Sequence, residues 1–407
     1  MGFARSLRCR KCGREYPLQP LNICDFCFSP LEVTYDYKGM AEAVSREKLA
    51  AGPIGMWRYA AMLPVDGEVV DIGTGYTPLT HARHLGSELG LDKLYIKNDS
   101  LNPSYSFKDR VVSVAISKAR EFGFDIVACA STGNLAASVA AHAARAGMRS
   151  YVFVPASVET GKLVTTAVYD PVLVTVDGSY DDVNRLCSRL VSRLKWGFVN
   201  INLRPFYAEG SKTLGYEVAE QLGWRAPDCV VAPAASGLLF TRIWKGLDEL
   251  SMLGLVESVN THMFVAQAAG ASPIVNAFCS GSQHIHPVVP DTIARSIAIG
   301  NPADGYYALR VARQSGGGAC AVNDEEILDG VRLLAQTEGI FSEPAGGVVI
   351  ASLKKLAASG AIKKDEVTVA YITGAGPRTQ EILADSVHSF KIKPTVESFE
   401  EILGVAA

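Results

Sequence analysis

From about Val70 to Ile372, short apolar runs of strand length alternate with longer segments of helical spacing, and few architectures accommodate such an alternation. Leu94–Ile96, Ile126–Ala130, Tyr151–Val154, Val172–Val176, Cys229–Val231, Met263–Ala266 and Val367–Ile372 read as strands. Lys108–Phe122, stopped by Gly123, and the Ala-rich Asn134–Ala146, ending at Gly147, read as helices. Val183, Leu186, Leu190 and Leu194 place one helix face between Asp181 and Lys195. Strands interleaved with helices imply parallel sheets covered on both faces, an α/β fold. Ser280–Pro302 has weak periodicity and reads as loop.

The first forty residues do not share this pattern. Cys9-Arg10-Lys11-Cys12 and Cys24-Asp25-Phe26-Cys27 form two Cys-x-x-Cys knuckles, eleven residues apart. One such pair suits redox chemistry, whereas two so close together suit a tetrahedral metal site, with free thiols as the lesser reading. Four cysteines close the coordination sphere, so the expected metal is a structural zinc.

The chain has 407 residues, enough for two or three domains and for cores that need no disulfides. Its net charge of -3 leaves no electrostatic footprint for nucleic acid or an anionic membrane. No apolar run reaches membrane-span length, and the N-terminus lacks the apolar core of a signal peptide. Met1-Gly2 fits only the loose pattern for N-myristoylation, which is discounted. Nine cysteines, an odd number, point to a reducing cytoplasm.

In open parallel sheets ligands sit beyond the carboxyl ends of the strands, and four unusual loops are expected there. Asn102–Arg110 puts Lys108 at the opening of a helix, where the positive end of the dipole favours the neutral amine of a Schiff-base lysine. The competing reading is a solvated lysine paired with Asp109. Ser131-Thr132-Gly133-Asn134 offers hydroxyls and free N–H groups to a carboxylate, or simply caps a helix. Pro233–Gly237 is small enough for a phosphate to approach the backbone, as is any plain tight turn. In Thr373–Pro377 the threonine hydroxyl either bonds a pyridine nitrogen or serves the turn.

Together these loops resemble the fold-type-II pyridoxal-phosphate enzymes, the tryptophan synthase β-like group, and within it the threonine synthase family. Asn102–Arg110 is close to that family's Asn-Pro-Thr-x-Ser-Phe-Lys-Asp-Arg, and Ser131–Asn134 to its Ser-x-Gly-Asn. Glu209–Thr213, Ala298–Gly305 and Glu343–Gly346 are also similar, as is the ribbon with Pro30–Val33. The likeness runs from about Leu7 to Phe399.

The resemblance implies a zinc ribbon over 1–40, a large cofactor domain in two parts, 41–107 and 201–407, and a small α/β domain over 108–200. It implies pyridoxal 5'-phosphate bound by Lys108 as Schiff base and proton shuttle, with Asn134 on the ring oxygen and Thr373 on the ring nitrogen. Ala235, Ser236, Gly237 and Leu238 would offer backbone to the cofactor phosphate, while Ser104, Ser131 and Thr132 would hold the amino-acid substrate. Two departures stand out. The phosphate turn is Ala-Ser-Gly-Leu-Leu where relatives are glycine-rich. Arg204-Pro205-Phe206-Tyr207 replaces Asn-Pro-Tyr-Arg, leaving Arg204 to supply a charge for a substrate phosphate.

The implied activity is that of a lyase converting O-phospho-L-homoserine and water to L-threonine and phosphate, in a homodimer. The alternatives on the same scaffold are replacement of the phosphate of O-phosphoserine, as in cysteate synthase, and serine or threonine dehydration. A zinc-ribbon interaction module on a silent fold is the rival class. The acidic balance and the intact Lys108 argue against it.

Overall fold

The computed structural model describes residues 2–158, 160–386 and 389–406. Among them lie thirteen strands: β1 Ala4–Cys9, β2 Glu15–Tyr16, β3 Leu31–Tyr35, β4 Leu79–His81, β5 Leu94–Asn98, β6 Ile126–Ala130, β7 Arg149–Pro155, β8 Val172–Val176, β9 Gly197–Phe198, β10 Cys229–Pro233, β11 His262–Ala268, β12 Gly318–Val322 and β13 Thr368–Ile372. They form three sheets, ordered β2-β1-β3, β12-β11-β10-β13-β5-β4 and β8-β7-β6-β9.

The small N-terminal sheet is antiparallel. The six-stranded sheet is parallel except for β4 at its edge, and the four-stranded sheet is parallel throughout. No helix among the described residues is long and apolar enough to cross a membrane.

Both faces of the larger sheet are buried under helices, alternate residues of each strand going to opposite sides. Val231, Phe264, Ala266, Ala370 and Ile372 pack on one side with Val348 and Leu353 of the Pro344–Ala358 helix. Val230, Ala232, Val265, Val369 and Tyr371 pack on the other with Phe240 and Ile243 of the Leu238–Met252 helix. The smaller sheet does the same: Ala128, Phe153 and Phe198 meet Val183 and Cys187, while Val127, Cys129 and Val152 face the Lys108–Glu121 and Asn134–Ala146 helices. Buried over nearly its whole length, the Lys108 helix lies in the core that also takes Leu7, Leu31 and Val33 of the N-terminal sheet. The N-terminal sheet is therefore packed into the body of the molecule.

Two expectations need adjusting. The helix begun at Asp181 runs Tyr180–Leu190 under a Ser179/Asp182 capping box. It stops short of Lys195 because the chain must turn back to place Trp196 against Tyr151, with ring centroids 4.4 Å apart, and to enter β9. β4, β9 and β12 gave no signal in the sequence; the first two are very short, and Gly-Ala-Cys-Ala-Val of β12 lacks bulk. Ser280–Pro302 is loop apart from a short turn at Arg295–Ile297.

Candidate active site

The strand order decides what meets. β13, last in sequence, is inserted between β10 and β5, so the chain leaving β5, β10 and β13 emerges side by side at one carboxyl edge. Asn102–Phe107 follows β5, Ala234–Gly237 follows β10 and Thr373–Gly376 follows β13.

The first and last of these loops are stitched together. Phe107 N donates to Thr373 O at 3.0 Å, and Ala375 N donates to Tyr105 O at 3.0 Å. Tyr105 holds a left-handed φ of 64°, unusual for an aromatic residue and a local strain that the stitching sustains. Lys108 then opens its helix half-buried, and its Nζ donates to Tyr207 Oη at 3.2 Å. Asp109 behind it is fully buried and is not the partner of Lys108. It accepts from Ser104 N at 2.7 Å and from the Ser104 and Ser138 hydroxyls. Ser104, expected at the substrate, braces the loop through these bonds.

Glu343, quoted from the sequence without a role, enters this cluster. Its carboxylate accepts from Asn134 Nδ2 at 3.0 Å and from Ser296 Oγ at 3.1 Å. Gly374 permits this, since a Cβ there would come within 2.5 Å of the carboxylate. Burial pushes the Glu343 carboxyl above its ordinary range, outweighing the hydrogen bonds from Asn134 and Ser296 and the charges of Arg378 and Lys108. Arg378 was not anticipated at all. Its Nη1 donates to Asn134 Oδ1 at 3.0 Å and its Nη2 to Ser104 O at 2.9 Å. Arg378 Nε and the neighbouring Ser342 Oγ are buried without a hydrogen-bonding partner among the described residues. Only the position of Arg378, five residues past Thr373 on a loop already singled out, could have signalled it.

The remaining expected residues sit around this centre. Ser131 and Thr132 follow β6, with Ser131 N bonded to Phe153 O at 3.2 Å and Asn134 opening its helix. At Ala235–Leu238 the Leu238–Met252 helix begins, and its first N–H groups have no partner within the helix. Gly237 has φ +88° there, and a Cβ would meet Asp304 O at 2.8 Å, so the turn stays open to an anion only as glycine. Arg204 does not reach toward Lys108 as a free charge: its Nη2 is paired with Asp304. Two surface cavities, one lined by Tyr306, Arg310 and Arg313 and one by Asp71, Arg120 and Arg145, include none of these residues.

The donor set suits pyridoxal phosphate. An accessible amine, a helix start with N–H groups free of intrahelical partners and buried polar atoms without partners among the described residues lie at one sheet edge. Away from it, the Cys9, Cys12, Cys24 and Cys27 sulfurs all lie within 4.8 Å of one another, a closed tetrad able to hold a metal.

Comparison with known proteins agrees. Residues 70–374 match the model of the family described as "Pyridoxal-phosphate dependent enzyme". The chain is 41% identical to a threonine synthase of Methanocaldococcus jannaschii over 91% of its own length and 92% of that protein's. It is 40% identical to the threonine synthase of Methanosarcina acetivorans over 90% and 91%. Among solved structures, threonine deaminase isoform 2 of Solanum lycopersicum aligns with TM-score 0.64 and 19% identity over 85% of this chain and 91% of that one, a likeness of fold. With most of its length matched in this way, the chain belongs to the pyridoxal-phosphate-dependent enzymes and, among them, to the threonine synthase family.

Proposed function

We propose that this chain is a lyase that converts O-phospho-L-homoserine and water to L-threonine and phosphate. The observation that carries the reading is Lys108, a half-buried amine held by Tyr207 at the edge where the loops of Thr373 and of the Asn134–Glu343 pair gather. Lys108 would hold pyridoxal phosphate covalently, with Asn134 at the ring oxygen, Thr373 at the ring nitrogen and the Ala235–Leu238 turn at the phosphate. That group, when bound, would supply an electron sink for the negative charge that develops at the substrate's α-carbon.

The chain's residues do the rest. Lys108 Nζ removes the proton at the α-carbon and later returns one there, with Tyr207 Oη fixing its direction. Ser131, Thr132 and the start of the Asn134 helix hold the substrate carboxylate. A proton is lost from the β-carbon and the γ carbon–oxygen bond breaks, so that phosphate leaves with that proton; water then adds its hydroxyl to the β-carbon and its hydrogen to the γ-carbon. Arg378, whose Nε has no hydrogen-bonding partner among the described residues, and Arg204 are cations that would meet the substrate phosphate, the second only in part because of Asp304. The cysteine tetrad is read as a structural zinc site, the large cofactor domain as 41–107 with 201–407, and the small one as 108–200. A cytoplasmic homodimer is the assembly proposed; sedimentation of the purified protein checks the stoichiometry.

Incubation with O-phospho-L-homoserine, assayed for free phosphate and threonine, tests the reading. Equal release of both, absent in Lys108→Ala, is the expected result. The alternative pair on the same scaffold is O-phosphoserine with sulfite. Cysteate from that pair, with no threonine from the first, would replace the proposal.

A further inference from the structure

Arg10 sits between Cys9 and Cys12 in the first knuckle, yet its side chain turns inward and is only 12% exposed. Its Nη1 donates to Asp304 Oδ1 at 2.8 Å, and its guanidinium lies 3.4 Å over the Tyr307 ring. Its own backbone N donates to Pro30 O at 3.1 Å, just before β3. Asp304 is 1% exposed and faces two arginines, since its other carboxylate oxygen takes Arg204. The backbone of the same residue reaches the turn after β10. Asp304 N donates to Ser236 O at 2.8 Å, and Asp304 O lies against Gly237. Two hydrogen bonds therefore connect the cysteine knuckle to the turn read above as the cofactor's phosphate site.

We propose that Arg10 and Asp304 couple the two sites, so that metal in the cysteine tetrad and pyridoxal phosphate at the Ser236–Gly237 turn each tighten the binding of the other. The inference rests on the reading of that turn as the phosphate site. Four thiolates closed around a metal fix the knuckle backbone, and with it the root of the Arg10 side chain. An emptied tetrad frees the knuckle, and Arg10 is no longer held over Tyr307. Asp304, buried, then loses one of its two hydrogen-bonded arginines and is drawn toward the other, Arg204, carrying its backbone and the Ser236 contact with it. Coupling of this kind is reciprocal by linkage, whereas a contact that merely braces the ribbon leaves the two affinities independent. Arg10 and Asp304 act here as positioning residues.

The test measures zinc affinity by competition with a chromophoric chelator, with and without pyridoxal phosphate, and cofactor affinity from its absorbance, with and without zinc. Each ligand is expected to tighten the other by the same factor, about 10-fold. In Arg10→Gln that factor falls to about 1 on the same scale. Should Arg10→Gln disturb the knuckle itself, Asp304→Asn leaves the ribbon's own contacts in place and must also abolish the coupling. Independent affinities in the unaltered protein, or full coupling in both variants, would overturn the proposal. Gly237→Ala separates the underlying reading: if it binds the cofactor as the unaltered protein does, the turn is not the phosphate site, whatever the coupling.

Discussion

Glu217 and Glu343 are both buried carboxyls close to the Lys108 helix, yet their surroundings push them in opposite directions. Glu217 meets Lys97 Nζ at 2.7 Å and both terminal nitrogens of Arg110, which also binds Asp99 at 2.7 Å; these four side chains are at most 1% exposed. Burial would raise the Glu217 carboxyl, but the charges of Arg110 and Lys97 outweigh it and draw the group down to about 2. Around Glu343 the accounts do not close: burial prevails, its carboxyl is raised, and Arg378 Nε and Ser342 Oγ lack partners among the described residues. A completed charge network is scaffold. An incomplete one, facing an accessible lysine, is where a ligand finishes the pairing.

The strongest way to break this distinction is at Lys108. Lys108→Ala should lower turnover about 10³-fold or more, because it deletes both the covalent anchor and the proton carrier. It should barely move the urea midpoint of the cofactor-free protein, since Lys108 belongs to the unfinished region. Mass spectrometry after borohydride reduction should find the cofactor on the unaltered chain and not on the variant. Arg110→Met, two residues further along the same helix, should do the reverse. It strands Asp99 and Glu217 without their main counter-charge, and a loss of about 3–5 kcal/mol in unfolding free energy is expected. A midpoint close to that of the unaltered protein would mean that the network is not needed as scaffold.

How much of this was legible follows from the same topology. The strands around Lys108, Asn134 and Thr373 announced themselves because apolar runs of strand length led into polar loops and helix starts. That parallel strands would gather those loops at one edge was also predictable. The meeting of Asn134 with Glu343, 209 residues away, and with Arg378, 244 away, was not. It depends on β13 returning between β10 and β5, an insertion that no local pattern encodes. Arg204 illustrates the same limit. Its charge was readable, but not its neutralisation by Asp304, 100 residues on. The cysteine tetrad was legible because its chemistry is local, whereas the inward turn of Arg10 was not.

Glu217→Gln tests the scaffold side by pH. A carboxyl held at about 2 in the folded state, below its unfolded value, stabilises above the unfolded value and loses that contribution as pH falls toward 2. The contribution is on the order of 3 kcal/mol. The variant should be less stable at pH 7 by a similar amount. It should also show a shallower loss of stability between about pH 4.5 and 2, followed by urea unfolding at each pH.

Glu343→Gln is the smaller and sharper experiment, because the same substitution should act with the opposite sign. A carboxyl raised in the folded state binds more protons folded than unfolded between its two values. Stability therefore declines as pH rises through that window, which opens near the ordinary glutamate value of about 4.3. An amide keeps the size of the side chain and an oxygen to accept from Asn134 or Ser296, but carries no such decline. The cofactor-free variant should thus be as stable as the unaltered protein at pH 7, or more stable by up to about 1 kcal/mol. Its stability should be flatter with pH above about 4.3. If Glu343→Gln instead weakens the fold as much as Glu217→Gln, Glu343 is a paired structural charge after all. Its position beside Lys108 would then say nothing about a ligand.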